Sequence, residues 1–418
     1  MKTSLPIGLL AASAALLPVL ALFAHKGIAP LFAVAAVAAL AATVAEGAVR
    51  ALPRRLAAAV GVFIGVGALS AFWSLTPAQT LRAAVPLAGL AIGAVLLIGV
   101  FARLDGPARR TMQTAILIGG AVGFVLLGIE YAFDRPIQAE ILALAGHPVI
   151  AELRPLLRLN TGATVMALFA WPWVLVLRHR FSRALAVAAG GAVLALLAGL
   201  LTKGAETSFF AFALGATVFF VARRFGKSAG PLLGAAIVAG MLGAPWIPGL
   251  LPNPLTEGEK LEGLPNSAVH RIQIWQTTAA HIREQPWFGY GLDTARTLYP
   301  HESQVERIVP HSDPNKVRKW MAEPIPLHPH NMILQIWLET GLVGALLTLT
   351  AFLLVVRALY VSPLQKTERA AGYGFFVSAL FIASISYGAW QAWWLSALWL
   401  TAALMIAAFS RPPTAPTA

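Results

Sequence analysis

Two histidines and an asparagine stand together where a long polar stretch gives way to an apolar one, in Leu327-His328-Pro329-His330-Asn331-Met332. Pro329 fixes its own φ and holds His328 extended, so a helix cannot begin earlier and Asn331 is the natural N-cap of the apolar run that follows. His330 then sits at the mouth of a helix, where the positive end of the dipole disfavours imidazolium. A neutral imidazole there can accept a proton, which is what a general base must do. The same residues also read as a polar turn at a lipid interface with no chemistry attached. A metal site is a third reading, because His328 and His330 would point to one side of an extended segment. Its third ligand would have to be Asp313, Glu323 or Glu339, none at a recognisable ligand spacing, and there is no cysteine. The expectation is therefore a site without metal or other cofactor.

The elements that must position these residues belong to a membrane. Hydrophobic residues make up 58% of the 418 positions and charged residues 12%, with a mean hydropathy of +0.73. Apolar runs of the length needed to cross a bilayer recur along the chain, about twelve of them, the last three near 331–356, 370–388 and 390–409. The fold class expected is an all-α polytopic membrane protein. It divides into segments one to nine over 1–247, a large, partly helical loop over 248–330, and segments ten to twelve over 331–418.

Lys and Arg assign the sides. One set of connections carries Arg50, Arg54 and Arg55; Arg103, Arg109 and Arg110; Arg178, Arg180 and Arg183; Arg223, Arg224 and Lys227; and Arg357, Lys366 and Arg369. The alternate short connections carry only Lys26, Arg82, Arg135, Arg154, Arg158 and Lys203. The positive-inside rule makes the first set cytoplasmic, with both termini inside and the long loop outside. The net charge of +13 is then largely a topology signal, and no nucleic-acid motif accompanies it.

On the outward side, charges lie close to the apolar runs in three places, and charge at membrane depth usually lines a cavity or a site. Arg154 and Arg158 are one helical turn apart and could face the same way, or could snorkel to headgroups. Lys203 and Glu206 are spaced to pair with each other. In the long loop, Ser267 is the expected cap of a helix over 268–284, ended by Gln285-Pro286. Its Ile272, Trp275, Ala279 and Ile282 form one apolar face for packing on the membrane domain, with Arg271 at the rim. His270 and His281, about 16 Å apart on such a helix, are too distant to share a metal and read as surface or interface residues. Gly289 and Gly291 are too sparse for a phosphate loop. Tyr387, Trp390, Trp393, Trp394 and Trp399 read as an interfacial aromatic belt in preference to a sugar-stacking platform.

Taken in order, these motifs resemble the O-antigen ligase and polymerase superfamily. The resemblance rests on Phe72-Trp73-Ser74-Leu75-Thr76-Pro77, Arg158-Leu159-Asn160-Thr161-Gly162 and Ser267 to Trp275. It continues in Pro286-Trp287-Phe288-Gly289-Tyr290-Gly291, then His328-Pro329-His330-Asn331, then Glu339-Thr340-Gly341-Leu342-Val343-Gly344. It is strongest from Ser267 to Gly344. Where many members carry a more basic motif, this chain has Asn160-Thr161-Gly162.

The resemblance implies a GT-C-like glycosyltransferase acting outside the cytoplasm, with a glycan on undecaprenyl pyrophosphate as donor and lipid A-core as acceptor. On that reading Arg158 and Arg271 hold the pyrophosphate, Arg154, Arg82 and Lys203 are secondary contacts, and His330 deprotonates the acceptor hydroxyl. His328 and Asn331 orient the base or the acceptor sugar. Ligase is the leading expectation, on the compactness of the chain. Polymerase and protein O-oligosaccharyltransferase are alternatives within the superfamily. A transporter of lipid-linked sugar is the alternative of another class, disfavoured by the one-sided clustering of charge and the lack of matching broken segments.

Overall fold

The computed structural model describes residues 4–146, 155–299 and 305–410. Its architecture is helical throughout, apart from one short hairpin. The helices are α1 (Ser4–Phe23), α2 (Ile28–Ala45), α3 (Arg54–Leu69), α4 (Pro77–Ala102), α5 (Gly106–Ala132), α6 (Pro136–Leu144) and α7 (Pro155–Arg180). They continue as α8 (Arg183–Gly199), α9 (Glu206–Phe225), α10 (Ala229–Gly243), α11 (Asn266–Glu284), α12 (Met332–Val361), α13 (Lys366–Ile385) and α14 (Ala392–Ala408). Strands β1 (Val305–Val309) and β2 (Arg318–Ala322) pair antiparallel, with Arg307 opposite Trp320.

Each of the apolar runs read from the sequence coincides with one of these helices. Nine stretches among the described residues are long and apolar enough to cross a membrane, one of them running through both α9 and α10. The chain is thus a polytopic membrane protein. Of the last three runs, only α12 is among the nine; α14 is apolar but shorter.

The helices begin where side chains satisfy orphan backbone donors. Asp105 accepts from Ala108 N at the head of α5, Ser182 from Leu185 N at α8, and Gln365 with Glu368 forms a capping box at α13. The main core is made by α1, α2, α4, α5, α7, α8, α9, α13 and α14 around buried residues such as Leu17, Met112, Phe169 and Trp394. Backbones approach closely where residues are small, as membrane helices require in the absence of a hydrophobic drive between them. A side chain at Gly215 of α9 would meet Gly374 O of α13 at 2.6 Å. Beside that crossing, Trp171 Nε1 donates to Ser378 Oγ at 3.1 Å.

A second core joins α10, α11 and α12, with Ile282 of α11 packed among Leu334, Trp337 and Leu338. The apolar face of α11 therefore splits. Trp275 and Ile282 face α12, whereas Ile272 packs with Val269, Leu261 and Val309 in a small core of the loop itself. Ser267 does not cap α11: the N-cap position is Pro265, and α11 opens at Asn266, because proline's fixed φ already suits the residue before a first turn.

Candidate functional site

Asn331 caps α12 as its position in the sequence requires, with φ −151° and its Oδ1 accepting from Leu334 N at 3.0 Å. The preceding turn is pinned from α11, where Trp275 Nε1 donates to Pro329 O at 3.0 Å. His330 takes a left-handed conformation, φ 55°. Its ring lies at a centroid distance of 4.4 Å from that of His328.

The two imidazoles are wired differently. His330 Nδ1 lies 3.1 Å from Ser386 O, at the end of α13. A carbonyl only accepts, so this nitrogen carries the proton and Nε2 is left with its lone pair. Among the described residues no hydrogen bond engages that Nε2. His328 is saturated: its Nδ1 accepts from His330 N at 3.1 Å, and its Nε2 lies 2.8 Å from the side-chain amide of Gln391. With both nitrogens spent, His328 supports the turn, and the pair cannot jointly ligate a metal.

Burial pushes the His330 imidazole below its ordinary pKa. The Ser386 hydrogen bond opposes this, and the charges of Arg271 and His270 add to it. Burial takes His328 further, to about 3, with His330, Arg296 and Arg271 contributing. Both rings are neutral at physiological pH. Arg271, half-buried on α11, is itself lowered by desolvation, an effect that Glu206 and Tyr387 oppose. Among the described residues no hydrogen bond or ion pair holds its guanidinium, although its charge reaches both histidines. A cation without a partner, beside a neutral imidazole with an open acceptor, is a place for an anion and a protic nucleophile.

The turn is built on a break in α12. Gly341 has φ 60° and ψ −159°, inside what is otherwise a continuous helix. The groups freed there are taken up by the Pro286–Gly291 segment. Tyr290 N donates to Leu338 O and Gly291 N to Glu339 O, both at 2.9 Å, while Leu342 N donates to Pro286 O at 2.8 Å. This satisfies backbone that could not be left open at membrane depth. The connection before α4 and the first turn of α4 lock the residue that follows this segment: Leu292 N donates to Ser70 Oγ at 2.9 Å, and Thr80 Oγ1 to Leu292 O at 2.8 Å.

Fully buried Glu339 ties these parts together. Asp293 N and Trp390 Nε1 each donate to Oε2 at 2.5 Å, and Ala295 N and Gln335 Nε2 to Oε1 at 3.2 and 2.9 Å. Gln335 Oε1 accepts from Ala389 N at 2.8 Å. The 386–391 turn that carries Ser386 and Gln391 is thereby fixed to α12.

Several expectations need correction. Lys203 does not pair with Glu206; it bonds Asp134 at 3.1 Å, because the α5–α6 turn comes beside it in space. The aromatics after α13 are not a lipid-facing belt. Trp394 is 0% exposed, Trp390 bonds Glu339, and Trp393 packs against Tyr387 and His25. Arg82 is exposed on α4. Arg154 lies outside the described residues, and of Arg158 only its backbone place, in the first turn of α7, is described.

Ser386, Gln391, Trp275 and Arg296 are parts of the site that sequence reading missed. Only Gln391 left a signal, as a lone amide among apolar and aromatic residues at a membrane-segment boundary.

Residues 155–349 match the O-antigen ligase family model. Curated relatives named as putative polysaccharide ligases come from Rickettsia felis, 28% identical over 295 residues, Rickettsia conorii, 31% over 295, and Rickettsia bellii, 30% over 297. In each case the match covers 70% of this chain and 66% of the relative, so the chain spans just under two thirds of their length. The family match runs from α7 through the loop and α11 into α12, the stretch that holds Arg271, His328, His330 and Glu339, and together with the relatives it supports a place for the chain in the O-antigen ligase superfamily.

Proposed function

We propose that this protein is an O-antigen ligase, a glycosyltransferase that moves a glycan from undecaprenyl pyrophosphate to lipid A-core at the outer face of the bacterial inner membrane. The observation that carries the reading is the pair formed by His330, its Nδ1–H fixed on Ser386 O, and Arg271; among the described residues neither the His330 Nε2 nor the Arg271 guanidinium is engaged by a hydrogen bond. The family match and the names of the relatives support the same reaction class.

In this mechanism the acceptor hydroxyl gives its proton to His330 Nε2 as its oxygen attacks the anomeric carbon, and the bond to the pyrophosphate oxygen breaks with its electron pair leaving on the phosphate. Arg271, with Arg158, holds that pyrophosphate and stabilises the charge as it grows; Arg154, Arg82 and Lys203 are secondary. A single displacement inverts the anomeric centre. The leaving group is already activated, so the reaction is proposed to need no metal. The surrounding topology is that of about twelve membrane helices in a GT-C-like arrangement, both termini cytoplasmic, with residues 248–330 as a periplasmic domain between membrane portions 1–247 and 331–418.

The test is reconstitution of the purified protein with undecaprenyl pyrophosphate-linked glycan and lipid A-core in the presence of chelator. Wild type is expected to transfer. His330→Ala is expected to lose on the order of 100 to 10,000-fold in kcat, and Arg271→Ala to fail as well. Near-normal transfer by His330→Ala would end the base assignment. Elongation of the lipid-linked glycan without transfer to lipid A-core would instead make the protein a polymerase.

A further inference from the structure

A left-handed backbone at a residue other than glycine is strained and persists only where its surroundings impose it. At His330 the imposing group is His328, whose Nδ1 holds the His330 N–H at 3.1 Å. Nδ1 of His328 must therefore be bare, and in a neutral ring Nε2 must carry the proton. Opposite Nε2, at 2.8 Å, stands the Gln391 carboxamide, whose Oε1 is buried without a hydrogen-bond partner. A half-turn of the carboxamide leaves its shape unchanged and brings Oε1 to the Nε2 proton, so that the contact joins a donor to an acceptor.

The ring is packed closely against the Gly388 backbone. A side-chain carbon at Gly388 would meet His328 Cγ at 2.8 Å. The turn bearing Gly388 and Gln391 is itself fixed to α12 through Ala389 N and Trp390 Nε1.

We propose that Gln391 is a positioning residue for transfer: by accepting from His328 Nε2–H it sets the tautomer of His328, whose Nδ1 in turn holds the backbone, and so the aim, of His330. The proposal rests on His330 being the base. It adds that the turn after α13 controls both imidazoles, His330 through Ser386 O and His328 through Gln391. The charged groups that face His328 are Arg271 from α11 and Arg296 from the 294–297 turn, with His330 in its own turn, and all favour the neutral ring.

The experiment uses the full-length protein in proteoliposomes with lipid-linked donor and lipid acceptor, comparing Gln391→Met, Gln391→Glu and His330→Ala. Gln391→Met has no acceptor for the Nε2 proton. Its kcat is expected to fall by about 10 to 100-fold, the scale of a small misplacement of a reacting group, with the donor KM unchanged. Gln391→Glu keeps an acceptor and should retain kcat above neutral pH. Its carboxylate also stabilises the His328 imidazolium, which has no Nδ1 lone pair for the His330 N–H. Activity should therefore be lost at a higher pH than in wild type as the pH falls, a shift that loss of packing alone would not produce.

Wild-type kcat in Gln391→Met, or a Gln391→Glu pH profile superimposable on wild type, overturns the proposal. Should Gln391→Met not fold, the Gln391→Glu profile decides. An active His330→Ala removes the base itself, whereas an inactive His330→Ala alongside a fully active Gln391→Met overturns the positioning role alone.

Discussion

At the scale of single residues, the proposed chemistry rests on two groups whose states are set by what surrounds them. His330 is kept neutral by burial and by the Arg271 charge, so its pKa lies below the ordinary 6.5. The base form persists above that lowered value and is lost as pH falls through it. Transfer by the wild-type protein should therefore be half-lost only at a pH below 6.5; a rate profile half-lost at or above 6.5 would contradict this environment. The residue types were readable in advance: Pro329 and Asn331 dictate where the helix starts, and His330 follows from that. The state of Lys203 was not readable, because its partner Asp134 lies in a turn that only the packed molecule brings to it.

At the scale of elements, α12 decides the site because it is broken. The apolar run from Met332 onward has the signature of an uninterrupted helix, and nothing local to Gly341 announces that the chain leaves helical geometry there. The break exists because the Pro286–Gly291 segment supplies donors and acceptors to both of its edges. Gly341→Ala places a methyl group against the Trp287–Phe288 backbone at a φ that alanine rarely adopts. A loss of about 1–3 kcal/mol from the backbone alone is expected, visible as a lower melting temperature and a poorer yield of active protein. Gly240→Ala on α10 meets nothing within 4 Å and should be neutral or stabilise by about 0.5–1 kcal/mol, as alanine generally does in a helix interior. Equal effects at the two positions would show that the break is not what holds the loop.

At the scale of the whole molecule, the connections sort into two ends. Phe409 O at the end of α14 accepts from Arg109 of α5, and Ala408 O lies by His179 of α7. The α9–α10 turn meets α13 through Gly226 and Lys366. The site stands at the other end, with Ser386 and the start of α12. If the end rich in Lys and Arg is cytoplasmic, single cysteines introduced into this cysteine-free chain should report it. Glu259→Cys should react with an impermeant maleimide in intact cells and Lys227→Cys only after permeabilisation; the reverse pattern would place the site inside.

Not every basic residue at that end serves topology. Buried Arg109 donates to Ile406 O and Phe409 O, and buried Arg369 to Leu359 O and Ser362 O, each closing the C-terminal end of a helix. The membrane class, the position of nearly every helix and the turn that presents His330 were legible in the order of the residues, because hydropathy, proline and capping chemistry act over a few residues. Only the tertiary structure decided the break at Gly341, the tautomers set by Ser386 and Gln391, the role of Glu339 and the pairing of Lys203, because each is a hydrogen bond or ion pair between groups far apart in the chain.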